Sequence, residues 1–316
     1  GVSTELCFVA FCAFTLIIIF AGVQNGIERV SKIMMPILIV LSVIIAVYSV
    51  TRPGALAGVK YFLVPNVKNF SWMTVVSAMG QMFYSLSIAM GILITFGSYM
   101  KKDTAIEDST RNVEIFDTGI AIMAGLMIIP AVFAFSGGDP DTLQAGPSLM
   151  FITIPKVFQN MGFGTVIGIV FFVLVLFAAV TSSIALTESA VSTFEDELGW
   201  GRKKATVLVG VIMLALGSLS SLGYGPLAGI KIIGMQFLDL FDFLTNSVMM
   251  PIAALITSLL VSRVVGIDKI EEEIIHGESA FRRKKVFVVM IKYLCPVFAI
   301  IILLSSVANA LGWIKM

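Results

Sequence analysis

Ala178, Thr181 and Ser182 stand at i, i+3 and i+4 within a long apolar run, so on a helix they share one face. One main-chain carbonyl and two hydroxyls on that face make a neutral oxygen set suited to a small monovalent cation. The competing reading is that the hydroxyls simply back-bond to the preceding turn, as Thr and Ser in membrane helices ordinarily do. A second group lies in the stretch Gly80-Gln81-Met82-Phe83-Tyr84-Ser85-Leu86-Ser87-Ile88-Ala89-Met90-Gly91, midway along apolar residues 73–100. If the helix unwinds around Ser85 to Gly91, freed carbonyls and two hydroxyls become ligands for a hard cation, and a half-helix N-terminus can face a carboxylate. The alternative is a seam of small residues between packed helices. Asp117, beside Thr118 and followed by Ala121, Ala124 and Gly125, is costly within a span unless paired, protonated or bound to a cation; otherwise it reaches the headgroups as an interfacial acid. Asp239, Asp242 and Phe243 fall near the end of another apolar run, where solvation at a helix mouth also accounts for the acids. Glu188 and the cluster Glu195-Asp196-Glu197 follow the Thr181 run, and for the cluster a solvated charged face is the default.

Other chemistries are poorly supported. The three cysteines, Cys7, Cys12 and Cys295, sit in apolar runs, as small buried hydrophobes do, and their spacing suits neither a disulfide framework nor a zinc site. The single histidine, His276, lies in a charged loop and leaves no intramembrane partner for a serine or cysteine nucleophile. The chain is therefore expected not to be an enzyme. With a formal charge of +1, no global field argues for nucleic acid. A composition that is 58% hydrophobic and 13% charged excludes a soluble fold and makes the lipid bilayer the first partner.

The elements that position these residues follow from the bilayer. A helix needs about 20 apolar residues to cross, because no lipid-exposed backbone group can go unbonded. Eight segments meet this: 6–23, 33–50, 73–100, 115–137, 162–187, 205–222, 234–262 and 288–312. Connections 51–72 and 138–161 carry Pro, Gly and amphipathic pieces such as Phe151 to Gln159, which predict short surface helices, and 263–287 is strongly charged. Alternate loops hold fourteen Lys and Arg on one side against six on the other, which makes the richer side cytoplasmic and places Gly1 and Met316 outside. An outside start without a signal segment predicts an odd number of spans upstream.

The motifs Gly80-Gln81 through Gly91 with Ile94-Thr95-Phe96-Gly97-Ser98-Tyr99, Phe177 through Ala185, and Phe194-Glu195-Asp196-Glu197-Leu198 resemble, in order and spacing, the neurotransmitter:sodium symporter family, in particular its bacterial amino-acid transporters. The resemblance covers essentially the whole chain and aligns it from the family's fourth span onward, so that three spans are expected to be missing. It implies an all-α membrane protein with a partial inverted-repeat fold and one broken helix. It divides 1–316, a single transporter domain, into the remainder of a first repeat (1–72), a second repeat (73–262), and a loop with the final helix (263–316).

The implied function is sodium-coupled symport of an amino acid across a bacterial cytoplasmic membrane by alternating access, the alternative being a non-transporting fragment. Carried over, the family pattern makes Ala178, Thr181 and Ser182 ligands of one sodium, and Ser85 and Asp117 part of a second site beside the substrate carboxylate. One or two Na+ ions are implied; chloride is not expected to be required, since Asp117 supplies a fixed negative charge. Tyr84, Ser85, Ser87, Met90 and Leu186 would contact substrate, the apolar ones favouring a hydrophobic or aromatic side chain. Asp242 and Phe243 resemble an outer gate and Asp196 with Tyr99 an inner one, each acid's arginine partner being expected in the missing part. Gly26 and Pro36 form a Gly-X9-Pro hinge for sodium release: Pro36 cannot donate to the carbonyl of Lys32, so the helix unwinds cheaply there.

Overall fold

A computed structural model of the protein describes residues 2–137, 139, 148–310 and 313. In chain order the helices are α1 (Val2–Phe20), α2 (Val23–Val50), α3 (Ala55–Leu63), α4 (Trp72–Ser85), α5 (Ile92–Ser98), α6 (Ile106–Ser136), α7 (Leu149–Gln159), α8 (Gly164–Leu198), α9 (Arg202–Gly223), α10 (Phe237–Val265), α11 (Ile267–Gly277) and α12 (Lys284–Ala310). Among the described residues, α1, α2, α6, α8, α9, α10 and α12 are the seven helices long and apolar enough to cross a membrane. The expected span 73–100 is also helical, but divided into α4 and α5 by residues 86–91. The fold is all-α, as expected, and the chain is an integral multi-pass membrane protein. Gly1 and Met316, whose sidedness the charge count addressed, lie outside the described residues.

Helix α2 shows why the assignment to a bilayer is secure. Its residues Leu38, Ser42, Ile45 and Ser49 are buried, while Ile33, Val40 and Val47 on another face are 58%, 57% and 58% exposed. A helix apolar on its outward face and carrying serines on its inward one is turned inside out relative to a water-soluble protein. Because lipid is as apolar as the interior, the discriminating contacts are close approaches and polar bonds.

The chain divides into two compact units, interleaved in sequence. One comprises Gln24–Phe70 and Ile115–Ser182. Its core is built from Ile45, Ala131, Val132, Ile154, Val157 and Phe171, with Phe158 edge-on to Phe171. Gly58 lets α3 press on α6, since a Cβ there would lie 2.8 Å from the Cα of Pro130. Pro130 interrupts the α6 hydrogen-bond ladder, and one turn back the Ser49 hydroxyl donates to the carbonyl of Met127 at 2.7 Å.

The other unit comprises Gly1–Val23, Ser71–Glu114 and Ser183–Met316. Here α1 and α9 run antiparallel: Glu5 meets Ser218, Phe8 lies against Gly217, Leu16 against Gly210, and Ile19 meets Arg202. A second cluster joins α4 to α10 and α12 through Phe83, Met250, Ala254, Ala299 and Ile302. On the polar side, Glu278 caps the start of α6 by accepting from the backbone N–H groups of Glu107 (2.6 Å) and Asp108 (3.4 Å). In return, Glu107 accepts from the backbone of Arg282 at 2.9 Å.

Candidate functional site

The break between α4 and α5 is irregular backbone inside an otherwise apolar helical stretch. Helix α4 starts cleanly, with Ser71 and Thr74 in a reciprocal capping box. It stops at Ser85, after which Ser87 (φ 54°), Ala89 (φ 63°) and Gly91 (φ 80°) all adopt left-handed backbone. Two non-glycine residues in this region within three positions signal a conformation imposed by tertiary contacts. Part of the interrupted ladder is rescued by Leu86 N–H to Met82 (3.1 Å), Ser87 N–H to Tyr84 (3.1 Å) and Ile88 N–H to Phe83 (3.0 Å). Helix α5 restarts with Thr95 N–H bonded to the Gly91 carbonyl at 2.9 Å. The sequence-derived expectation of unwinding over Ser85 to Gly91 thus matches where the helix divides.

Gly91 is required there for two reasons. Its φ is unfavourable for any side chain, and a Cβ would lie 2.6 Å from the Ser189 hydroxyl on α8. Ser189 also sits 3.4 Å from the Thr95 hydroxyl, so α5 is seated on α8 through small polar groups that are largely buried.

The substrate-side candidates distribute as follows. Tyr84 is 52% exposed and, with Asp242, lines a cavity of about 310 Å³ bounded by α4, α10 and α12. Asn246 donates to Asp242 at 2.5 Å, and Phe243 follows at the start of a π-helical stretch of α10. Ser85 and Ser87 are half-buried in the break, whereas Met90 packs against the Phe83–Met250 cluster. Leu186 is 49% exposed on α8. In the other unit, Thr181 donates from its hydroxyl to the carbonyls of Phe177 (3.1 Å) and Ala178 (3.0 Å). The back-bonding alternative is therefore realised, and it joins two of the expected ligands while leaving the lone pairs of the Thr181 hydroxyl available. Ser182 is exposed one position on, and Asp117 is half-buried in α6. Gly26 is buried in a π-helical turn, Val23–Glu28, and Pro36 is exposed within the regular part of α2.

A group that the sequence did not single out stands beside the expected inner gate. Glu188 is fully buried, and Arg202 holds both of its carboxylate oxygens, at 2.6 Å and 3.0 Å. The Tyr99 hydroxyl donates to the same carboxylate at 2.7 Å. Arg202 further donates to the Ile19 carbonyl at 3.0 Å and reaches Glu195 at 3.4 Å. Of the two residues grouped as the inner gate, Tyr99 is thus bonded to Glu188, while Asp196 lies exposed two turns further along α8. Counting Arg202 as a loop charge concealed this; the signal was an acid directly after an apolar run with an arginine 14 residues on.

No transition-metal cluster of His, Cys, Asp and Glu occurs among the described residues. The break in one unit, and the hydroxyls of Thr181 and Ser182 with Asp117 in the other, each offer oxygen donors of the kind a hard cation takes.

The sequence profile described as the Sodium:neurotransmitter symporter family matches residues 1–313. An uncharacterized sodium-dependent transporter of Bacillus subtilis, YhdH, is 33% identical over 97% of this chain and 67% of its own length. Similar transporters of Methanocaldococcus jannaschii and Haemophilus influenzae are each 30% identical, over 82% and 94% of this chain and 52% and 64% of their own lengths. The crystal structure of MhsT in complex with L-phenylalanine superposes with a TM-score of 0.81 at 34% identity, covering 94% of this chain and 66% of that one. The chain accordingly spans about half to two-thirds of the length of these relatives, which are transporters rather than enzymes. It belongs to the sodium:neurotransmitter symporter family.

Proposed function

We propose that this chain carries the broken helix and ion ligands of a sodium-coupled amino-acid symporter, and that its cargo has a hydrophobic or aromatic side chain. The observation that carries the reading is the division of α4 from α5 at Ser85 to Gly91. An interrupted helix supplies freed carbonyls for cations and N–H groups for a carboxylate without placing lipid-exposed polar backbone in the bilayer. The exposed Tyr84 ring beside that break, and the L-phenylalanine bound by MhsT, favour an aromatic substrate.

In this reading Ala178, Thr181 and Ser182 hold one sodium, and Ser85 and Asp117 are each further oxygen ligands for sodium. Asp117 supplies the negative charge that lets a cation enter a low-dielectric site without chloride. Gly26 and Pro36 form the hinge through which water reaches the first ion: the π-helical turn at Val23–Glu28 already departs from regular helix, and Pro36 removes one rung of the ladder. Tyr99, with Glu188 and Arg202, closes the inner side. The test is sodium-dependent binding of labelled L-phenylalanine to the chain reconstituted in lipid nanodiscs, with competition by leucine, glycine and glutamate. Competition led by glycine or glutamate refutes the hydrophobic cargo, and binding that ignores sodium refutes the coupling.

A further inference from the structure

Away from the sites above, the α1–α9 pair carries an ionisable group within a membrane span. Glu5 lies in the first turn of α1, and the Ser218 hydroxyl of α9 donates to its Oε1. The other oxygen, Oε2, is buried without a hydrogen-bond partner, and so is the hydroxyl of Ser221. Ser218 and Ser221 are three residues apart and share a face of α9, so the second orphan lies one turn beyond the first contact. No ion pair involves Glu5 among the described residues. A buried carboxylate oxygen in a span that makes no hydrogen bond costs several kcal/mol by order of magnitude, so a positive group beside it is expected.

Two features narrow the choice of counter-charge. Ser221 belongs to the last turn of α9, where the helix dipole presents partial negative charge and no basic side chain offsets it. The helices are also held at a fixed distance next to the group, because Phe8 fills the notch at Gly217 and Leu16 that at Gly210. Neither orphan can reach a new partner by collapse of the helix pair. A carboxylate, two hydroxyls and a helix C-terminus are hard oxygen donors, and a single carboxylate suits a single positive charge, since calcium and magnesium sites recruit more acids.

We infer that Glu5, Ser218 and Ser221 form a binding site for a small monovalent cation of the sodium class, separate from the ions proposed for transport. Both orphan oxygens are satisfied by one such ion, with Ser218 keeping its bond to Oε1.

The test is equilibrium binding of radioactive sodium to the whole chain in nanodiscs, in a T181A/S182A/D117N background that removes ligands of the proposed transport ions. Sodium binding is expected to persist in that background and to weaken by about tenfold or more on adding E5Q, which corresponds to about 1.4 kcal/mol. S221A, which keeps the carboxylate and removes an orphan, is expected to weaken it less, and circular dichroism confirms that each variant is folded. Unchanged binding on E5Q with S221A also unchanged overturns the site, as does a T181A/S182A/D117N chain that is folded and binds no sodium. An infrared carbonyl stretch of a protonated acid, present in saturating sodium and lost in E5Q, overturns it in favour of a bound proton. A wild-type titration without any component dependent on Thr181 and Ser182 bears on the transport reading alone.

Discussion

Arg202 grips Glu188 with two guanidinium nitrogens, at 2.6 Å and 3.0 Å, and the two residues are not equally buried: the arginine side chain is 23% exposed and the glutamate 0%. That asymmetry sets the outcome of breaking the pair. Removing Arg202 strands a buried carboxylate together with the Tyr99 hydroxyl bonded to it, whereas removing the charge of Glu188 leaves an arginine that can still reach solvent and Glu195. Arg202→Ala is expected to destabilise the fold by about 3–5 kcal/mol. Glu188→Gln is expected to cost less, and the double variant less than the sum of the two. Melting temperatures in detergent check this; equal losses for the two single variants would contradict the burial argument.

Gly91→Ala meets two penalties, left-handed backbone and the Ser189 hydroxyl at 2.6 Å from the new Cβ. A loss of about 1–3 kcal/mol is expected from the backbone alone. Ser189→Ala in the same chain relieves only the steric part, so the double variant is expected to melt between Gly91→Ala and wild type. If Ser189→Ala brings no recovery, α5 is not seated on α8 at this point.

The chloride prediction rests on charge. Asp117→Asn or Asp117→Ser removes the proposed fixed anion, and sodium-dependent binding or uptake is expected to fall in chloride-free buffer and to recover as chloride is added. Activity that stays independent of chloride in both variants sinks the assignment.

Pro36→Ala restores the rung that the proline ring denies to the carbonyl of Lys32 and is expected to stiffen the proposed hinge. Sodium release, followed by dilution from a pre-loaded state, should slow while equilibrium affinity changes little. An unaltered release rate would remove Gly26 and Pro36 from the mechanism.

Glu278 is expected to matter out of proportion to its place in a charged loop. Its carboxylate accepts from the first amides of α6, and a lost cap of this kind costs about 1 kcal/mol. Glu278→Ala should accelerate hydrogen exchange at Glu107 and Asp108 without altering exchange in the middle of α6; uniform exchange would show that the cap is dispensable.

The sequence by itself determined the membrane, the helices and where one of them breaks. Apolar runs of sufficient length admit only helices in lipid, and the small and polar residues between Gly80 and Gly91 mark the one span that is not continuous. The face shared by Ala178, Thr181 and Ser182 was legible from helical spacing alone, because residues three and four apart are neighbours whatever surrounds them. Contacts distant in sequence required the tertiary structure. Glu188 read only as an acid following an apolar run, and only the return of α9 places Arg202 against it. Glu5, just before the expected span 6–23, carried no signal of its own until α9 brought Ser218 to one of its oxygens and left the other unbonded. The difference is physical. Backbone bonding and helix periodicity are local and are written in consecutive residues, whereas the partner of a buried charge is set by which helices meet, and hydropathy is silent on that when the spanning helices are mostly apolar toward lipid and neighbour alike.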